Sequence, residues 1–148
     1  MGTTPDSPQE IAEACARVMW QGDGPSQHLG MNLDHVAPGE ATLTMKVTCR
    51  MPNGHGTGHG GYIFMLADSA FALACNSYAQ RTVAQHCSIT YIAPVSGGDR
   101  LTAIAREHVR AGRSAIYDVR IVNQNGEHVA EFRGHSRTVT GTHLPEGA

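Results

Sequence analysis

The chain has 148 residues and is 41% hydrophobic, which fits one soluble globular domain with a real core and leaves little room for a second one. Its formal net charge of -2 excludes an overall electrostatic case for nucleic acid or an anionic membrane surface, so any anionic ligand has to be met locally. The cysteines, Cys15, Cys49, Cys75 and Cys87, form no CxxC pair; they are expected to be reduced core residues of a cytoplasmic protein and to hold no zinc.

Residues 1–6 read as a loose tail, and the opening lacks the basic and apolar regions of a secretion signal. Ser7-Pro8-Gln9-Glu10 supplies an N-cap, a proline at the first helical position and the glutamate of a capping box. A helix is therefore expected from there, with Ile11, Cys15, Val18 and Met19 on its inner face and Gly22-Asp23-Gly24-Pro25 ending it. Leu29, Met31 and Leu33, then Ala41, Leu43, Met45 and Val47, alternate with polar or small residues and predict a hairpin turning at Ala37-Pro38-Gly39-Glu40.

The next stretch, Gly54 to Ser77, organises the rest. A glycine-histidine loop runs into the segment Tyr62 to Cys75, whose fourteen residues are all apolar or aromatic except Asp68 and Ser69. With no proline or glycine inside it, the segment predicts a buried helix, too short and too interrupted to span a bilayer. Four alternating segments follow, near Thr82 to Ala93, Leu101 to Val109, Ser114 to Val122 and His128 to Val139, joined by short turns that include Asn125-Gly126. No helix separates them, so the sheet is antiparallel. The expected fold is α+β, with about six strands wrapped around one long apolar helix, and residues 143–148 as a second loose tail.

Asp68 is the only formal charge between Gly61 and Gln80, and a carboxylate on such a helix is costly unless something charged, polar or aqueous meets it. It is either the catalytic acid or a structural one satisfied by nearby donors. Gly60 and Gly61 fall at the helix N-terminus, where free amides and the helix dipole suit an oxyanion, although the same glycines also serve a plain turn. The GxGxxG at Gly56, Gly58 and Gly61 lacks the acidic residue about 20 positions on that a dinucleotide site needs. His55 and His59 lack a third ligand for a metal; His59 instead fixes the loop or a substrate carbonyl, and Asn53 orients a reacting group or forms a turn. Asp68 lies two turns, about 10 Å, beyond the glycines, so one chain does not bring both to one small group, whereas two chains packed helix to helix do.

Asn53-Gly54-His55, His59-Gly60-Gly61 and Leu66-Ala67-Asp68-Ser69-Ala70-Phe71-Ala72, with Tyr117-Asp118-Val119 and Phe132-Arg133-Gly134 later, resemble the phenylacetic acid degradation thioesterases, a branch of the hotdog-fold acyl-CoA thioesterases. The resemblance spans about Leu29 to Thr140. It implies a hotdog fold, a homodimer with a continuous sheet, dimers paired into a homotetramer, and two active sites at the subunit interface. It also implies hydrolysis of phenylacetyl-CoA or ring-hydroxylated phenylacetyl-CoA thioesters without a metal, coenzyme A being part of the substrate and not a cofactor. In that scheme Asp68 is nucleophile or general base, Gly60 N–H from the other subunit polarises the carbonyl, Asn53 and His59 assist, and the CoA phosphates lie near Arg110, Gly112 and Arg113. One departure is Ala84, about where some relatives carry a serine. A 3-hydroxyacyl thioester dehydratase and a non-catalytic acyl-CoA-binding module are the rival readings.

Overall fold

The computed structural model describes residues 4–145. Helix α1 spans Pro8–Gly22, and both halves of the capping box form: Ser7 Oγ accepts from Glu10 N–H while the Glu10 carboxylate accepts from Ser7 N–H. Its buried stripe is Ala12, Cys15 and Ala16, with Met19 half-buried, and small residues let the helix lie close on the sheet. Val18 was expected on that face but is 47% exposed, because it sits about a third of a turn round from the stripe. The Gly22–Pro25 breaker does end α1, but it also starts a second helix, α2 (Gly24–His28). Asp23 caps it, accepting from Ser26 N–H at 3.1 Å and from Ser26 Oγ at 2.6 Å.

Strands β1 (Asn32–Ala37) and β2 (Glu40–Lys46) form the expected hairpin, with Gly39 at positive φ in its two-residue turn. Helix α3 runs from Gly60 to Cys75. Then come β3 (Gln80–Tyr91), β4 (Arg100–Ala111), β5 (Ser114–Val122) and β6 (His128–Thr142). The six strands form one antiparallel sheet in the order β1-β2-β4-β5-β6-β3. Strand β6 extends past its expected end at Val139 because its last residues pair with the start of β3, Gln80 opposite Thr142. His143, expected in a loose tail, is tied down: its N–H donates to Ala79 C=O at 2.8 Å and its Nε2 lies 2.6 Å from Asn76 Oδ1. Residues 1–3 and 146–148 of the expected tails lie outside the described residues.

The core lies between α3 and the concave face of the sheet. Leu66, Ala67, Ala70, Phe71 and Ala74 of the helix meet Leu43, Met45, Leu101, Ala103, Ala105, Tyr117, Val119 and Phe132, all almost fully buried. Alanines on both sides bring backbone close to backbone. At Gly134 the Phe71 ring lies so near the strand that an added Cβ would sit 2.7 Å from Cε2. The convex face carries charge, with Arg133 holding Asp118 through two hydrogen bonds at 2.7 and 2.9 Å and Arg120 reaching Glu131 at 3.2 Å. Such exposed pairs contribute little stability each, roughly 0–1 kcal/mol, and they make Arg120 and Arg133 part of a solvated face.

All four cysteines are free, but only Cys15 and Cys75 are buried; Cys87 is half-buried and Cys49 exposed, contrary to the expectation of four core residues. Cys49 follows the end of β2, where the chain has already left the sheet. The helix α3 also departs from its expected burial on nearly every side. Met65, Asp68 and Ala72 form a stripe that this single chain leaves half-covered, next to β3, a sheet edge on which Val83 and Tyr91 are each 49% exposed.

Candidate active site

The loop before α3 is built on Asn53. Its Oδ1 accepts from His55 N–H at 2.9 Å and Thr57 N–H at 3.1 Å, and its Nδ2 donates to Thr57 Oγ1 at 2.9 Å. These three bonds give Asn53 a loop-shaping role, one of the two expected for it. Gly58 N–H donates to Val95 C=O at 2.6 Å and His59 N–H to Met51 C=O at 2.7 Å, so the loop delivers the chain to the helix start in one fixed position. Asn53→Ala removes three hydrogen bonds from a half-buried side chain. It is expected to cost about 1–2 kcal/mol of stability and to speed exchange of the Thr57 amide, as thermal denaturation and hydrogen exchange would report.

His59 is the N-cap of α3, and its Nδ1 accepts from Gly61 N–H at 2.9 Å. That bond needs the Nδ1 lone pair, which places the proton of the neutral ring on Nε2. It also separates the two glycines. Gly61 N–H is consumed by the cap, whereas Gly60 N–H meets no acceptor among the described residues. Gly60 opens onto a cleft of about 440 Å³ that Asn53, Thr57, Gly58, Ile63 and Tyr91 also line. A donor left unsatisfied at a helix N-terminus, with the positive end of the dipole behind it, suits a carbonyl oxygen that gains negative charge. His55 is exposed and faces no companion ligand; among the described residues no group of three or more His, Cys, Asp or Glu is placed to hold a metal.

Asp68 lies eight residues further along the same helix, about 12 Å along its axis, and does not line the Gly60 cleft. It is half-buried, and no cation pairs with it among the described residues. Burial pushes its carboxyl pKa upward. The Cys87 thiol stands beside it, Sγ 4.0 Å from Oδ1. Burial, and then the Asp68 charge, push that thiol's pKa up, so it stays protonated and is no nucleophile. Ser69 Oγ lies 3.0 Å from Ser26 Oγ, and Ser26 gives its own proton to Asp23, so Ser69 is the donor between them. This chain of hydroxyls ties α2 to α3 and leaves Ser69 no free role in chemistry.

Arg110, Gly112 and Arg113 line one shallow depression with Tyr78, Thr82 and Cys75, at the far end of α3. Cys75 is fifteen residues from Gly60, about 20 Å along the helix, so one chain does not join this depression to the cleft. Arg110 stacks over the Tyr78 ring at 3.7 Å from its centroid, with Glu107 at 3.5 Å. Sequence reasoning missed Tyr91, Cys87 and the Asp23–Ser26–Ser69 chain. All three depend on contacts between segments distant in sequence, for which no local spacing is a signal.

The family model of the thioesterase superfamily matches residues 55–130, a span that holds His59, Gly60, Asp68 and both Arg110 and Arg113. The chain belongs to the thioesterase superfamily. Over 127 residues it is 42% identical to the acyl-coenzyme A thioesterase PaaI of Escherichia coli K12, covering 86% of this chain and 91% of that protein. The solved structure of the E. coli PaaI protein, from the phenylacetic acid degradation operon, superposes with a TM-score of 0.90 at 41% identity over 92% of this chain and 99% of that one. A hypothetical thioesterase of Streptococcus pneumoniae TIGR4, solved with coenzyme A, matches with a TM-score of 0.71 at 28% identity over 76% and 90% of the two chains. The sheet wrapped on α3 is the hotdog fold of these thioesterases, as the sequence predicts.

Proposed function

We propose that this thioesterase hydrolyses acyl-CoA thioesters of the phenylacetyl-CoA or ring-hydroxylated phenylacetyl-CoA type, in the cytoplasm and as a step of phenylacetate breakdown. The observation that carries the reading is the pair Gly60 and Asp68: an amide N–H with no acceptor, and a half-buried carboxylate with no counter-charge, among the described residues. Likeness to the E. coli PaaI thioesterase supports the acyl class. Gly60 N–H holds the thioester oxygen as it becomes an oxyanion. Asp68 either attacks the carbonyl carbon or takes a proton from the water that does, and the carbon–sulfur bond breaks as the tetrahedral centre collapses. Water supplies the hydroxyl of the acid product and the proton of the released thiol. Asn53 and His59 act through the loop and cap that present Gly60. The scheme calls for no metal and no cofactor, since a carboxylate and an amide supply base and oxyanion donor.

The 12 Å between the two groups asks for a second copy of the chain. In the homodimer of this reading, β3 edges meet in a continuous sheet, the half-covered stripe of Met65, Asp68 and Ala72 is closed, and Asp68 of each chain faces Gly60 of the other. The partner's depression at Arg110, Gly112 and Arg113 then extends the cleft toward the CoA phosphates, and two such dimers make a homotetramer. Light scattering is expected to find a dimer or tetramer at assay concentration, with activity lost on dilution to the monomer; an active monomer would refute the shared site. Thiol release from a panel of acyl-CoAs tests the reaction itself. Arylacetyl-CoAs are expected to react fastest. A dehydratase would release no thiol, and a binding module would turn nothing over.

A further inference from the structure

The peptide unit between Gly60 and Gly61 is held at both ends by side chains. On its N–H side, Gly61 donates to His59 Nδ1 at 2.9 Å. On its C=O side, Gly60 accepts from the Tyr91 hydroxyl at 2.8 Å. The Tyr91 ring also lies across the Gly60 Cα, so that a Cβ added there would stand 2.8 Å from Cζ and 2.9 Å from the hydroxyl oxygen. Tyr91 is the last residue of β3, and its backbone is fixed opposite Ala130 of β6. The start of α3 is therefore pinned to the sheet edge by a tether that spans 31 residues of sequence.

Two consecutive glycines have more backbone freedom than any other pair, and an amide that must wait in one direction for a developing charge needs an external hold. We infer that Tyr91 is the positioning residue for the oxyanion donor: its hydroxyl and ring fix the peptide that follows Gly60 and the Gly60 Cα itself, and so set where the preceding His59–Gly60 peptide presents Gly60 N–H to the cleft. The peptide that carries Gly60 N–H is held at its other side, where His59 C=O accepts from Tyr62 N–H at 3.0 Å, and the Tyr91 contact fixes Gly60 between the two peptides. Burial pushes the Tyr91 hydroxyl pKa up, so it remains a donor throughout the neutral range. The ring lines the same cleft as Gly60 and is 49% exposed in the single chain, so its place there is not that of a core aromatic. A Cβ at position 60 would require the Tyr91 ring to swing away from the helix start.

The inference rests on the proposed role of Gly60 N–H, and the test separates the two. Tyr91→Phe keeps the ring and removes the hydroxyl. It is expected to lower kcat about tenfold with KM within about twofold and the thermal midpoint nearly unchanged, and to move the Gly60 amide signal in a 1H–15N spectrum. An unmoved Gly60 signal overturns the inference whatever the activity, and so does a moved signal with kcat within about twofold of the unmodified protein. If the unmodified protein cleaves no acyl-CoA, the functional reading falls, while the amide signal still decides whether Tyr91 holds the peptide. A second pair tests the ring. Gly60→Ala is expected to lose about 10²-fold in the unmodified background and distinctly less when measured against Tyr91→Ala, where the clashing ring is gone. Equal losses in the two backgrounds overturn the ring's part.

Discussion

Asp68→Asn is expected to lower the turnover number by about 10²-fold or more while fold and assembly stay intact, because the amide keeps the size and loses both the basic site and the nucleophilic oxygen. Apparent affinity should change far less, since Gly60 N–H and the CoA contacts remain. Stability supplies an independent check. Burial raises the folded-state pKa of Asp68, so between the ordinary carboxylate range and that raised value the folded chain holds a proton the unfolded chain has released. Stability therefore falls as pH rises through this window, and above it the folded chain carries a charge that no cation among the described residues meets. Asparagine carries none. The variant is expected to be at least as stable as the unmodified protein at neutral pH, with the difference closing below the ordinary carboxylate range, in thermal denaturation across a pH series. The acid limb of the rate profile should likewise lie above the usual carboxylate pKa. A folded Asp68→Asn oligomer working within a few-fold of the unmodified rate would end the catalytic assignment, and a marked loss of stability would make Asp68 a structural acid.

The largest stability effect is expected where α3 meets the sheet. Phe71 is 1% exposed and its ring packs at 5.6 Å from Tyr117 and 5.8 Å from Phe132, centroid to centroid, with its face against Gly134. Phe71→Ala leaves a cavity in the densest part of the core and should cost about 3–5 kcal/mol. Gly134→Ala puts a methyl into the ring from the other side; the strand on one hand and the helix on the other leave the ring little room to move, so about 1–3 kcal/mol is expected. Combined with Phe71→Leu, which draws the ring atoms back, Gly134→Ala should cost clearly less than in the unmodified background. Urea denaturation of the four proteins gives that coupling, and simple additivity would show that the close approach carries no strain.

Much of this architecture is legible in the residues because it is local. Ser7 and Glu10 name the start of α1, the Pro38-Gly39 turn fixes a hairpin, and a long apolar run from Tyr62, free of proline and glycine, marks a helix in the core. Gly60 and Asp68 stand out for the same reason, one as a helix start and the other as a lone charge in an apolar run. What stays hidden depends on partners far along the chain. Gly22-Asp23-Gly24-Pro25 looks like a stop, yet Asp23 also caps α2, and the gain from doing so includes Ser26 reaching Ser69, 43 residues away. Which of Gly60 and Gly61 keeps a free amide depends on where the His59 ring turns. Val18 fits a helical period but falls off the stripe that the sheet chooses. Tyr91 reads as one more strand residue until the sheet brings it back to Gly60.

The spacing of Gly60 and Asp68 on one straight helix has an outcome in heredity. A helix is a stiff ruler, and no loop movement shortens the stretch between them. On the two-chain reading, a chain that has lost its amide and a chain that has lost its carboxylate are each inactive alone. Brought together in one dimer, they assemble one site from the two intact halves and a second from the two damaged ones. Two defective alleles in the same cell would therefore restore part of each other's function, whereas two alleles damaged at the same position would not. On that reading, subunit exchange redistributes lesions among sites, and the unit on which selection acts is the pair of chains.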